Sequence, residues 1–95
     1  MLNKENQDLC WNVLARYGCE HQLGMVIEEC AELQKAVCKL IRDDGHITDE
    51  HDENFREELV DVLVMLEQMF LVLKMSNDDI DNRANRKLKK ALGVQ

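Results

Sequence analysis

A chain of 95 residues is too short for two independent cores, and 45% hydrophobic with 33% charged residues is the composition of a folded domain, not of a disordered tract. With no proline, four glycines and only Trp, Tyr and two Phe as aromatics, it lacks the turn residues that a β-sandwich or barrel needs. Nineteen acids against twelve bases leave a net charge of −7, which argues against nucleic acid and anionic membrane surfaces as partners.

The start, MLNKENQDLCW, is polar and has no secretory apolar region. The longest apolar run, near 62–73, is interrupted by Glu67 and Gln68 and is too short to span a bilayer. The chain reads as a soluble cytoplasmic protein. Cys10, Cys19, Cys30 and Cys38 show no zinc-knuckle or redox spacing, and they read as reduced, half-buried small residues.

Gly18, Gly45 and Ser76-Asn77-Asp78-Asp79 cut the sequence into four segments. The first, 4–17, carries Leu9, Cys10, Val13, Leu14 and Tyr17 at helical spacing. Gly18 fits the C′ position that ends it. The second, 20–42, places Leu23, Val26, Ile27, Cys30, Leu33, Val37, Leu40 and Ile41 on one stripe, and Gly45 fits its C′ position. Residues 43–52, DDGHITDEHD, read as an acidic loop with His46 and His51 solvated. The third segment, 53–75, carries Phe55, Leu59, Val62, Leu66, Met69 and Leu73, with Val60, Val64 and Leu71 on the opposite face. A helix apolar nearly all round must be covered on both sides, so the third segment is expected to pack against a second subunit. Ser76, Asn77 or Asp78 can N-cap the fourth segment, 78–92, which carries Ile80, Ala84, Leu88, Ala91 and Leu92. No period of two is sustained anywhere. The expected fold is all-α, a four-helix-bundle-like single domain over 1–95.

The informative residues are acids on apolar faces. At 100° per residue, Glu58 and Asp61 fall beside Met65, Met69 and Val72 on the third helix. On the second, Gln22, Met25, Glu29, Glu32 and Ala36 form a ridge beside the main stripe. Each helix thus offers two acids three residues apart, Glu29 with Glu32 and Glu58 with Asp61, and such pairs project from one face. Four carboxylates gathered between neighbouring helices would repel, and each would lose several kcal/mol of hydration. A hard divalent cation with oxygen ligands, Mg²⁺ or Mn²⁺, resolves the conflict; zinc would call for His or Cys. A ferritin-like di-iron site uses Glu-x-x-His, and neither pair includes histidine. Glu28, Glu32, Lys35 and Lys39 also fit an ordinary ion-paired helix surface, whereas Glu58 and Asp61 do not.

Ile27-Glu28-Glu29-Cys30-Ala31-Glu32-Leu33 followed by Glu57-Glu58-Leu59-Val60-Asp61-Val62-Leu63 resembles the signature of the MazG-like, all-α nucleoside triphosphate pyrophosphohydrolases, over residues 13–92. The resemblance implies a bundle in which Glu29, Glu32, Glu58 and Asp61 hold Mg²⁺. It implies hydrolysis of a (deoxy)nucleoside triphosphate to the monophosphate and pyrophosphate, by a homodimer or homotetramer whose protomers share the substrate pocket. Within that frame Glu28 is the candidate to take the proton of the attacking water. Lys87, and more weakly Lys35, are candidates for phosphate. Trp11, Tyr17, His21 and Gln22 lie in the region that family members use for the base, and Gln22 is carried as a substrate-binding candidate. The alternative reading is a non-enzymatic helical adaptor, or an inactive nucleotide-binding relative.

Overall fold

The computed structural model describes residues 1–43 and 49–94. Among them the chain is all-α: helix α1 over Lys4–Tyr17, α2 over Cys19–Arg42, α3 over Asp49–Val72 and α4 over Asn77–Leu92. No helix among the described residues is long and apolar enough to cross a membrane.

Local chemistry sets most of the ends. The Asn3 side chain accepts from the Asn6 N–H at 2.9 Å and caps α1. Gly18 ends α1 as expected: its N–H donates to Leu14 O at 2.8 Å and its φ of 87° is a conformation that side chains disfavour. It is also the only residue between α1 and α2. Asp43 caps α2, and its N–H is shared by the carbonyls of Lys39 and Leu40. The expected cap Gly45 and the solvated His46 lie outside the described residues. His51 is a correction. It sits on α3, which starts earlier than expected, and its Nε2 lies 2.7 Å from Asp43 Oδ2, tying the start of α3 to the end of α2.

The end of α3 is a Schellman turn. Met75 N–H donates to Phe70 O at 3.0 Å and Lys74 N–H to Leu71 O at 3.1 Å, with Lys74 in the left-handed region at φ 56°. Ser76 then caps α4, its hydroxyl accepting from Asp79 N–H at 3.1 Å. Four residues with these bonds leave little freedom in the direction α4 takes. Gly93, at φ 71°, closes its other end.

Helix α3 lies along α2 and, over a shorter stretch, along α1. The buried apolar residues are Cys10, Leu14, Ala36 and Leu40, joined by the polar Gln22, Glu67 and Gln68. Helix α4 has no buried residue and packs against none of the other helices among the described residues. Within one chain, therefore, three helices make the bundle and the fourth stands off it.

The face that α2 turns inward differs from expectation. The ridge of Gln22, Met25, Glu29 and Ala36 is buried or half-buried, and so is half of the main stripe, Val26, Cys30, Leu33 and Leu40, while its other half, Leu23, Ile27, Val37 and Ile41, is exposed. On α3, Leu59, Val60, Leu66 and Val72 are exposed as well, as is Leu73 just past its end. Four apolar helices have too few neighbours in one chain to cover every stripe.

Candidate functional site

The inner ridge of α2 brings Glu29 against α3, where Glu58 and Asp61 stand one turn apart. One carboxylate oxygen from each of the three lies within 4.8 Å of the others. Glu29 and Glu58 are half-buried and Asp61 is exposed, so the trio sits at the edge of the α2–α3 seam. Glu58 Oε2 is shielded from solvent and has no hydrogen-bond partner. An orphaned buried oxygen on an anion is costly.

The Glu29 carboxyl is pushed above its ordinary pKa, first by loss of hydration and then by the charges of Asp61, Glu58, Glu28 and Glu32. All three side chains offer oxygen alone, one oxygen lacks any donor, and the charges raise one another's cost. That donor set fits a hard divalent cation of the Mg²⁺ or Mn²⁺ kind.

Glu32 does not join the trio. It is exposed, and Lys35 on the next turn lies 3.3 Å from its Oε1, so the lysine holds the carboxylate on the outer surface. It still adds to the field at Glu29, as does the exposed Glu28. Lys35 borders a shallow depression of about 790 Å³ with Gln34, Cys38, Lys39, Ile41 and Arg42. Lys87 lies on α4, where it lines a basic depression of about 210 Å³ with Arg83, Arg86 and Lys90.

Gln22 lies inside the bundle. It is 3% exposed and forms the centre of a buried polar layer. Its Nε2 donates to Gln68 Oε1 at 2.9 Å, and its Oε1 lies 2.8 Å from Nδ1 of His21, whose ring stacks on Tyr17 with centroids 5.2 Å apart. The Gln22 Nε2 also lies 3.9 Å from Met65 Sδ, so both ends of the amide are engaged within the bundle. Glu67, 3% exposed, accepts from Gln7 Nε2 at 2.9 Å. Burial, then the Glu67 charge, push the Cys10 thiol above its usual pKa. Gln68 is wholly buried and its Nε2 has no acceptor. It forms part of a cleft of about 360 Å³ between α1 and α3 with Leu9, Cys10, Val13, Val60 and Val64.

The four cysteines are free, Cys10 buried and Cys30 intermediate. Cys19 and Cys38 are exposed instead of half-buried, because they lie on the outer side of α2.

Comparison of the chain with protein-family models, with curated proteins and with solved structures gives no match in any of the three.

Proposed function

We propose that the protein hydrolyses a (deoxy)nucleoside triphosphate to the monophosphate and pyrophosphate with Mg²⁺, or Mn²⁺ in its place, bound at Glu29, Glu58 and Asp61. The observation that carries this reading is the convergence of the carboxylates of Glu29, Glu58 and Asp61, one of which, Glu58, has a buried oxygen with no donor. The MazG-like signature Glu28-Glu29-x-x-Glu32 … Glu58-x-x-Asp61 supplies the reaction class.

A bound divalent cation supplies charge neutralisation at phosphate oxygens and a more acidic water. Glu29, Glu58 and Asp61 fix where that charge sits. Glu28, exposed and close enough to raise the pKa of Glu29, is the group proposed to accept the water's proton. Glu32 lies beside the trio and offers its carboxylate if Lys35 releases it. Lys35 and Lys87 are the bases proposed for the remaining phosphate charge, by charge-assisted hydrogen bonds. The proposed working unit is a homodimer or homotetramer, which would cover the exposed Leu59 and Val60 of α3.

The test is pyrophosphate release from a panel of ribo- and deoxyribonucleoside triphosphates with Mg²⁺. The wild type is expected to release it, and a Glu58→Ala, Asp61→Ala variant to fall to background. Equal rates for the two proteins would overturn the reading.

The exposed apolar stripes favour a second reading, a non-enzymatic interaction module. Such a module has no use for the cation, so its melting temperature would not respond to Mg²⁺, whereas ligand binding to the folded state must raise that of the enzyme.

A further inference from the structure

We infer that α4 of one chain packs antiparallel along the outer stripe of α2 of a second copy, so that two chains exchange their last helices. The inference goes beyond the proposed reaction and does not depend on it.

Helix α4 is fully formed and capped at both ends by Ser76 and Gly93, yet has no buried residue. A helix of 16 residues is marginal alone in water, so it needs a surface. Its apolar side, Ile80, Ala84, Leu88 and Leu92, runs at helical spacing, and Leu92 is 78% exposed. The hydrogen-bonded turn at Lys74 and Met75 directs α4 away from its own bundle. Meanwhile α2 presents a second uncovered stripe, Leu23, Ile27, Val37 and Ile41, with Ile27 73% exposed.

Surface area says how much is missing. The chain exposes 7351 Å², whereas a compact monomer of 11.1 kDa exposes about 5,650 Å². The excess, roughly 1,700 Å² per chain, lies in the range of roughly 1,000–2,500 Å² per partner that obligate interfaces bury. A second copy supplies both missing surfaces at once, because every copy has one unpartnered α4 and one unpartnered α2 stripe.

Charge selects the direction. Helix α2 carries the exposed Glu20 and Glu28 in its first part and the exposed Lys39 and Arg42 in its last. Helix α4 runs the same way, from Asp78, Asp79 and Asp81 to Arg83, Arg86, Lys87, Lys89 and Lys90. Only the antiparallel arrangement sets acids against bases at both ends; a parallel one opposes like charges. Lengths are compatible: Ile80 to Leu92 spans about 18 Å, which fits within the roughly 27 Å of helix from Leu23 to Ile41.

The test uses the full chain. Light scattering at micromolar concentration is expected to give twice the chain mass for the wild type, and the single-chain mass for Leu88→Asp, Leu92→Asp. A monomeric wild type, or an unchanged dimer in that variant, would overturn the inference. Because a variant can fail to fold, a second experiment mixes two chains whose native cysteines are all replaced, one with Ile80→Cys and the other with Ile41→Cys. Under mild oxidation these are expected to form a crosslink between the two chains. The absence of that crosslink, or one formed instead with an Ile27→Cys chain, would overturn the antiparallel exchange. Neither readout involves nucleotide: loss of the reaction leaves the exchange standing, and a crosslink through Ile27→Cys would overturn the exchange without touching the reaction, whereas a monomeric wild type would also remove the proposed oligomeric working unit.

Discussion

Helix α3 carries two buried or half-buried glutamates nine residues apart, and the structure treats them in opposite ways. Glu67 lies in the bundle interior and accepts a hydrogen bond from the neutral amide of Gln7 on α1. Glu58 lies at the seam with α2, faces two further carboxylates, and has an oxygen with no donor. The first is an anion whose partner is part of the fold. The second is an anion whose surroundings are set against it, which is what a site for an external cation requires. Burial alone therefore does not set the two acids apart; the absence of an internal donor does.

The largest effect is expected where the internal partner is removed. Gln7→Leu strands Glu67 in the interior and should cost about 3 kcal/mol of unfolding free energy in urea melts. Gln7→Leu combined with Glu67→Leu should recover much of that loss, since two apolar side chains leave no unpaired charge. A Gln7→Leu protein as stable as the wild type would show that the bond contributes nothing.

Next comes the cation. At Mg²⁺ a hundredfold above its dissociation constant, the linkage gain is about 2.7 kcal/mol, which for a chain of this size raises Tm by roughly 11–20 °C. The shift should vanish in Glu58→Gln and persist in Gln7→Leu. A shift that survives Glu58→Gln would place the cation elsewhere.

A smaller effect follows from the raised pKa of Glu29. An acid with a higher pKa in the folded state than in the unfolded one weakens the fold above that raised value. The penalty disappears as pH falls to the ordinary carboxylate range. In chelator, Glu29→Gln should therefore stabilise the chain at neutral pH and make little difference near pH 4. Equal effects at both pH values would mean that charge crowding is not the cause.

The smallest concerns the turn before α4. Lys74 holds a positive φ that glycine adopts without cost, so Lys74→Gly should stabilise by about 0.5 kcal/mol in thermal melts. Destabilisation instead would show that the lysine side chain holds the turn.

Much of this was legible in the sequence. Gly18, Ser76 and the helical spacing of apolar residues locate the helices within a few positions, because caps and periodicity are local properties. Glu58 and Asp61 stand out because acids inside an apolar stripe contradict the pattern. Glu32 could not be resolved the same way: spacing of three puts it on the right ridge, but only coordinates show Lys35 drawing it outward. Nothing in the sequence marks Gln7 as the partner of Glu67, since the two lie far apart in the chain. The interruption of an apolar run by Glu67-Gln68 looks the same whether it meets solvent or an amide. Hydropathy alone misleads on which ridge of α2 meets its own chain, because the inner ridge includes Gln22 and Glu29, whereas the exposed stripe of Leu23, Ile27, Val37 and Ile41 is the more apolar.

Cys10, on the inner face of α1 and near Glu67 of α3, has a further consequence. A thiol kept protonated and out of reach is chemically silent while the bundle is closed. Exposed Cys19 and Cys38 should consume a thiol reagent within the first moments of mixing. Slow labelling at Cys10 then counts the rare occasions on which α1 lifts from α3, giving the molecule a built-in clock for its own breathing.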